Sequence, residues 1–289
     1  MPQSYQINED TDLRIDKHLC QKFDISFALA QKLIRQKKVK LNGAKVDPSH
    51  KIAKNDKIEL FVDLKNRNIA VKTQIGENSE RFKNFMSYVI YEDDNLVAIN
   101  KPSGLAVQGG SGIKISVDDY ISVKNWQLVH RLDKDTSGIL LIAKNNEIAE
   151  FLTNVFKNKQ IQKTYIACVV GLPKKKTGTV NIPLKKKFVK KNEKVYPDLV
   201  DGKEAVTHYK VLQSFEDHAI VELNPITGRT HQLRVHMKEI GHAIVGDAKY
   251  GGKGVLRPKI AKRLCLHAQK IVIEDYFGKK LKIECDVEF

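Results

Sequence analysis

Apolar and polar positions follow two different rhythms along this chain. Between residues 12 and 41 the apolar positions recur every three or four residues, as on helices. Leu13, Ile15 and Leu19 fall on one side of a short helix that Asp12 can cap. Leu29 and Leu33 form the inner stripe of a second helix, Phe27 to Lys38, with Ser26 as its cap. Lys32, Arg35 and Lys38 recur on that helix at helical spacing and can share one basic face. Val39 to Val46 then alternates around Asn42-Gly43, a hairpin signal because both turn residues tolerate positive φ. Asn55-Asp56-Lys57 turns the chain into Ile58 to Val62. Residues 64–85 are polar and weakly patterned and read as a linker.

From residue 86 the rhythm changes to short apolar runs separated by turns. Tyr88 to Tyr91 and Leu96 to Ile99 read as strands around the turn Glu92-Asp93-Asp94-Asn95, and Lys101-Pro102-Ser103-Gly104 ends the second. Further strands are expected at 139–143, 164–170, 206–213, 218–223, 264–273 and 280–286, and helices near 114–124, 145–157 and 230–240. The last helix has Leu233, Met237 and Ile240 on one stripe and Gly241 as its stop. Strands that follow one another over short links, with helices interspersed, predict an α+β domain with a mixed, largely antiparallel sheet. The expected organisation is therefore a small α/β domain over 1–63, a linker over 64–85 and a large domain over 86–289.

Charge changes this picture. Fifty Lys+Arg against 34 Asp+Glu leave the 289-residue chain at +16. Residues 12–61 carry +6 of this and residues 174–194 carry +8, so +14 of the +16 sits in two segments. Such confinement points to docking on an anionic partner, nucleic acid or an acidic membrane. The apolar fraction, 42%, is enough for an ordinary core and argues against a disordered chain. The longest apolar runs, Gly138 to Ala143 and Ile166 to Leu172, are too short to span a bilayer, which leaves nucleic acid. The N-terminus is polar and acidic, unlike a signal peptide, and Cys20, Cys168, Cys265 and Cys285 form no Cys-x-x-Cys pair. A cytoplasmic protein with free thiols is expected. No coiled-coil pattern appears, so a monomer is expected.

One segment is dense with reactive groups: His130-Arg131-Leu132-Asp133-Lys134-Asp135-Thr136-Ser137-Gly138, just before the apolar strand Ile139 to Ala143. Catalytic groups commonly sit on such a loop, fixed against a rigid sheet. Asp133 and Asp135, two apart in extended backbone, point to opposite sides, so one of them must act alone. A single carboxylate that stays ionised away from water needs a nearby cation, and Arg229, in Thr227 to His236, is the candidate. No phosphate-cradling or dinucleotide-binding glycine motif is present, so no cofactor is indicated. His231 and His236 are five apart and lack Cys or carboxylate partners at ligand spacing, so no metal is expected either.

His130 to Gly138 resembles the signature of the RluA-type RNA pseudouridine synthases. The same family pattern is matched by Tyr91 to Gly104, Gln162 to Tyr165, Thr227 to Met237, Gly241 to Asp247 with Tyr250-Gly251, and Arg263 to Ala268. Arg14-Ile15-Asp16, Leu33 to Gly43 and the Asp56 turn resemble the S4 RNA-binding domain. With Gly104 to Gly112, the whole is most similar to the RluC group. The resemblance implies a pseudouridine synthase fold behind an S4-like domain, and a cofactor-free conversion of uridine to its C-glycoside isomer in large-subunit ribosomal RNA. It also implies roles: Asp133 as the catalytic aspartate and Arg131 ejecting the uridine or filling the space it leaves. Tyr165 stacks on uracil and handles a proton at C5, Arg229 pairs with Asp133, and Leu266 packs on the base. Lys32, Arg35, Lys38 and Lys40 are the expected RNA contacts of the S4-like domain. The competing reading is a non-catalytic RNA-binding or ribosome-assembly factor on the same fold.

Overall fold

The computed structural model describes residues 3–23, 25, 27–62, 75–110, 113–189, 192–255, 260–287 and 289. The chain divides into two compact units, with the main division between residues 74 and 75.

The first unit contains β1 (Gln3–Gln6), α1 (Ile15–Phe23), α2 (Phe27–Arg35), β2 (Val39–Leu41) and β3 (Lys57–Leu60). Its antiparallel sheet runs β1-β3-β2. Ile15, Leu19, Leu33, Ile52, Ile58 and Leu60 are buried together as its core. Three local expectations are corrected. The second helix ends at Arg35, not Lys38, because Lys37 turns left-handed (φ 60°). The amides of Lys38 and Lys37 then close onto the carbonyls of Leu33 and Ile34, both at 2.9 Å. A lysine rather than glycine in that conformation costs roughly 1–2 kcal/mol. The Asn42-Gly43 turn forms, with φ of 51° and 78°, but its return leg is a single bridge at Ala44, and β2 pairs with β3 instead. Asp12 is exposed and paired with Lys51, and does not cap α1. Asp16 is the buried carboxylate there, held by Arg14 (2.6 Å), Gln31 and the Lys17 amide. The expected cap Ser26 lies outside the described residues.

The second unit begins with α3 (Glu80–Met86), inside the stretch expected to be linker. Ser79 caps it, and Phe82 and Phe85 bury one face in an otherwise polar sequence. Then follow β4 (Val89–Glu92), β5 (Leu96–Lys101), α4 (Val117–Ile121), β6 (Gln127–Leu128), β7 (Ser137–Ala143), α5 (Asn146–Lys157) and β8 (Ile161–Val170). After these come β9 (Thr177–Asn181), β10 (Leu184–Val189), β11 (Asn192–Pro197), β12 (Val206–Ser214), β13 (His218–Pro225), α6 (Gln232–Glu239), β14 (Leu266–Tyr276) and β15 (Lys279–Glu284).

Ten of these strands form one sheet, ordered β4-β5-β7-β14-β8-β13-β12-β9, with β15 added to β14 and β6 to β7. The described pairings are antiparallel except β7 with β14, so the sheet is mixed and largely antiparallel, as expected. All seven residues of β7 are buried, which explains its unbroken apolar run. In β5 alternate residues serve opposite faces. Leu96 and Ala98 pack towards α5, while Val97 and Ile99 pack towards α3 and α4. Leu233 and Met237 of α6 cover β8 and β13. Most of the described residues of the lysine-rich run 174–194 are not a solvated loop but build β9 and the paired strands β10 and β11. Leu184 and Val195 seat that hairpin in a small cluster with Ala205, Val235 and Tyr250.

Candidate active site

The reactive loop lies between β6 and β7 and is fixed from behind. Lys101, at the end of β5, is fully buried, and its ammonium donates to the carbonyls of Pro102 (2.9 Å), Leu105 (2.9 Å) and Lys134 (3.1 Å). Burial pushes its pKa down to about 8, against the pull of Asp135 and Asp133. The Gly104 amide also donates to the Lys134 carbonyl (2.9 Å), and the Ser103 hydroxyl donates to that of Asp135 (2.7 Å). At the front of the loop His130 stacks on Phe156 (4.4 Å) and accepts the Leu141 amide at Nε2 (2.8 Å). Burial pushes this imidazole down to about 3, so it is a neutral acceptor. Gly138 (φ 108°) follows, where a Cβ would lie 2.3 Å from the Ala268 carbonyl oxygen. Only glycine permits this close pairing of β7 with β14.

Asp133 is held with its side chain 21% exposed. Its Oδ2 lies 3.4 Å from Arg234 Nη1 and 3.7 Å from His231 Nε2. Arg234 is on the first turn of α6 and is buried. The other side of its guanidinium makes a two-bond fork with Asp247, Nε to Oδ2 at 2.9 Å and Nη2 to Oδ1 at 2.7 Å. The amides of Lys249 and Tyr250 fix Asp247 in turn, each at 3.1 Å. His231 precedes α6 in a left-handed conformation (φ 54°), with Nδ1 2.6 Å from the Tyr250 hydroxyl. Burial pushes its imidazole down to about 4, although Asp133 favours the charged form.

Asp133, Arg131, Tyr165, Arg229 and Leu266 all line one cavity of about 280 Å³, with Phe156 and Lys163 on its wall. This volume is near the lower end for small-molecule sites, about 300–1,000 Å³. Leu266 is buried at the start of β14 and Arg131 is exposed. Tyr165, on β8, pairs across the sheet with Leu223 and Ala268. Burial and the Asp133 charge push its phenol well above the usual range, so it stays protonated. Asp135 is exposed, unlike Asp133.

The pairing of Arg229 with Asp133 is corrected. Arg229 is exposed in the turn before α6, its Nε donating to the Glu204 carbonyl (2.9 Å) and its amide to Gln232 Oε1 (3.0 Å). The turn directs it to β12's leading segment, and Arg234 takes the place beside Asp133. Sequence held one signal for this: an arginine between Leu233 and Val235, in a run that buries on every side, needs an internal partner. Lys101, Asp247 and Tyr250 lie in family-matching stretches, and only the fold brings them to the site around Asp133.

In the first unit, the basic face expected of Lys32, Arg35 and Lys38 is cut short, because the helix ends at Arg35 and Lys38 lies beyond it. Arg35 ends α2 and bonds Gln31 (2.9 Å), Lys38 is exposed beyond it, and Lys40 on β2 lies over the Phe61 ring (5.0 Å). The Lys32 side chain lies outside the described residues.

Comparison with known proteins gives concordant matches. The family model described as RNA pseudouridylate synthase matches residues 95–239, and that of the S4 domain matches residues 13–58. The chain is 40% identical to the "Ribosomal large subunit pseudouridine synthase C" of Rickettsia felis, covering 98% of this chain and 96% of that one. It is 35% identical to the protein of the same name from Vibrio parahaemolyticus, covering 87% and 81%. Among solved structures it is similar to human RNA pseudouridylate synthase domain containing 4. That match has a TM-score of 0.61 and 28% identity over 72% of this chain and 91% of the human one.

Proposed function

Because the chain belongs to the RNA pseudouridylate synthase family, we propose that it isomerises uridine to pseudouridine in large-subunit ribosomal RNA with Asp133 as the catalytic residue. One observation carries the assignment. Asp133 is the carboxylate on the cavity wall, and both donors that approach it, Arg234 and His231, address Oδ2. Oδ1 has no hydrogen-bond partner among the described residues. It is left to meet the extruded nucleotide, by attack on base or sugar or by removal of a sugar proton.

The reaction breaks the glycosidic N–C bond, turns the uracil and joins its C5 to the ribose. An extruded base and a pocket closed to water are its physical requirements. Tyr165 supplies a flat wall for the uracil. Burial holds its phenol protonated in the free protein, so any part it takes at C5 starts from the neutral hydroxyl. Leu266 gives the base an apolar surface. Arg131, exposed at the cavity rim, is placed to occupy the gap that the extruded uridine leaves. The S4 domain, through Arg35, Lys38 and Lys40, supplies sequence-independent phosphate contacts.

Release of tritium from rRNA labelled at uracil C5, with EDTA present, tests this reading. Wild type is expected to release label and Asp133→Asn to lose at least about 10⁴-fold in rate. Equal release by both would remove Asp133 from the reaction. No release by wild type from large-subunit rRNA or its precursor particles would overturn the substrate assignment.

A further inference from the structure

A line of hydrogen-bonding groups runs from the lysine-rich hairpin to the catalytic carboxylate. The Val195 amide of β11 donates to the Tyr250 hydroxyl at 3.1 Å. Tyr250 is 8% exposed, and burial pushes its phenol up, so the hydroxyl keeps its one proton. Among the described residues His231 Nδ1, 2.6 Å away, is the acceptor within reach of that proton. The imidazole packs edge-on against the same tyrosine ring, at 5.4 Å and 64°. Asp133, Asp247 and Glu193 act on this ring from the acidic side, and Arg234 and Lys249 from the basic side. Burial outweighs them and leaves the ring neutral near neutral pH. A neutral imidazole whose Nδ1 accepts must carry its hydrogen on Nε2. Nε2 is the nitrogen that faces Asp133 Oδ2, 3.7 Å away.

We propose that His231 is a positioning residue for the isomerisation, locked by Tyr250 and β11 in the tautomer whose Nε2–H holds Asp133 Oδ2, so that Oδ1 is the reacting oxygen. The proposal rests on the assignment of Asp133 above. At 3.7 Å the contact is longer than a hydrogen bond, and the proposed hold requires it to shorten when substrate seals the pocket, as catalytic contacts commonly do. Arg234 alone leaves the carboxylate free to swing about its single contact at 3.4 Å; a second donor on the same oxygen removes that freedom. The arrangement also ties the hairpin to the site, because the hydroxyl that meets His231 is anchored by one backbone amide of β11.

The test uses the full chain with ¹⁵N-labelled histidine. Imidazole ¹H–¹⁵N correlation near neutral pH should show His231 protonated at Nε2 only. Asp133→Asn should move that Nε2–H resonance, and Tyr250→Phe, which keeps the ring packing, should mix the two tautomers. In the tritium assay His231→Leu should lower kcat roughly ten- to a hundred-fold with KM nearly unchanged. His231→Gln, which puts an amide N–H where Nε2 stood, should recover most of that loss. An Nδ1–H or doubly protonated ring in wild type would overturn the proposal, as would an undiminished kcat for His231→Leu. If the enzyme proved inactive on every RNA, the functional reading would fall, and the response of the Nε2–H resonance to Asp133→Asn would still decide the contact.

Discussion

Two arginines five residues apart do different work at this site. Arg234 is buried, forked on Asp247 and pointed at Asp133, whereas Arg229 is exposed and bound to a backbone carbonyl. A lysine is a point charge without the planar fork, so it cannot keep the two-bond pairing with Asp247 while also presenting a donor beside Asp133 in Arg234's geometry. Arg234→Lys should therefore reduce kcat by about two orders of magnitude and destabilise the fold by about 3 kcal/mol, the scale of a broken buried pair. Arg229→Lys should leave the melting curve within about 0.5 kcal/mol of wild type. Steady-state kinetics with urea unfolding of both variants separates them, and equal effects would refute the division of roles. The loop that carries Asp133 was legible in the sequence, since a reactive segment ahead of an apolar strand is a local feature, but only the family resemblance chose Asp133 over Asp135. The partner of Asp133 was not legible, because the choice between Arg229 and Arg234 depends on where α6 begins and which way its first turn faces. Asp247, the residue that decides the matter, is thirteen positions away.

At the level of elements, the strands of the main sheet were readable because they are short apolar runs between turns, and the structure extends most of them by one to three residues. The elements that escaped are those whose polar residues hide the period. β10 reads Leu-Lys-Lys-Lys-Phe-Val, and α3 carries only Phe82 and Phe85 on its buried side. Local turn chemistry also misled where tertiary pairing prevailed, as when β2 took β3 rather than the return leg of its own Asn-Gly turn. The structure redistributes the basic charge as well. Within the hairpin Lys185 pairs with Asp201 (2.6 Å), Lys186 with Glu193 (2.7 Å) and Lys187 with Asp198 (3.3 Å). Lys174, Lys175 and Lys176, ahead of β9, are exposed. Replacing those three by alanine should flatten the dependence of log Kd on log salt for single-stranded RNA by about two. The same change at Lys185, Lys186 and Lys187 should flatten it less, and filter binding across a salt series reports both slopes.

The molecule as a whole keeps several histidines uncharged inside the catalytic unit: His130 is pushed down to about 3, and His231 and His267 to about 4. Burial is the leading cause in each. In the unfolded chain these rings protonate near 6.5, so between 6.5 and the folded value the unfolded state binds more protons, and stability falls as pH falls. His130 alone removes about 1.6 kcal/mol between pH 6.5 and pH 5, above the range in which carboxylates titrate. Chemical denaturation at pH 7 and pH 5 should show a lower midpoint at pH 5, and a flat profile would contradict these burial assignments. A last consequence follows from Lys101, whose three ammonium hydrogens are spent on three carbonyls behind the Asp133 loop. The loop is set when the domain folds and does not wait for a ligand to shape it. In the encounter the protein is the die and the RNA is the metal. The work of deformation is then expected to fall on the nucleic acid, with easily unstacked uridines the better substrates.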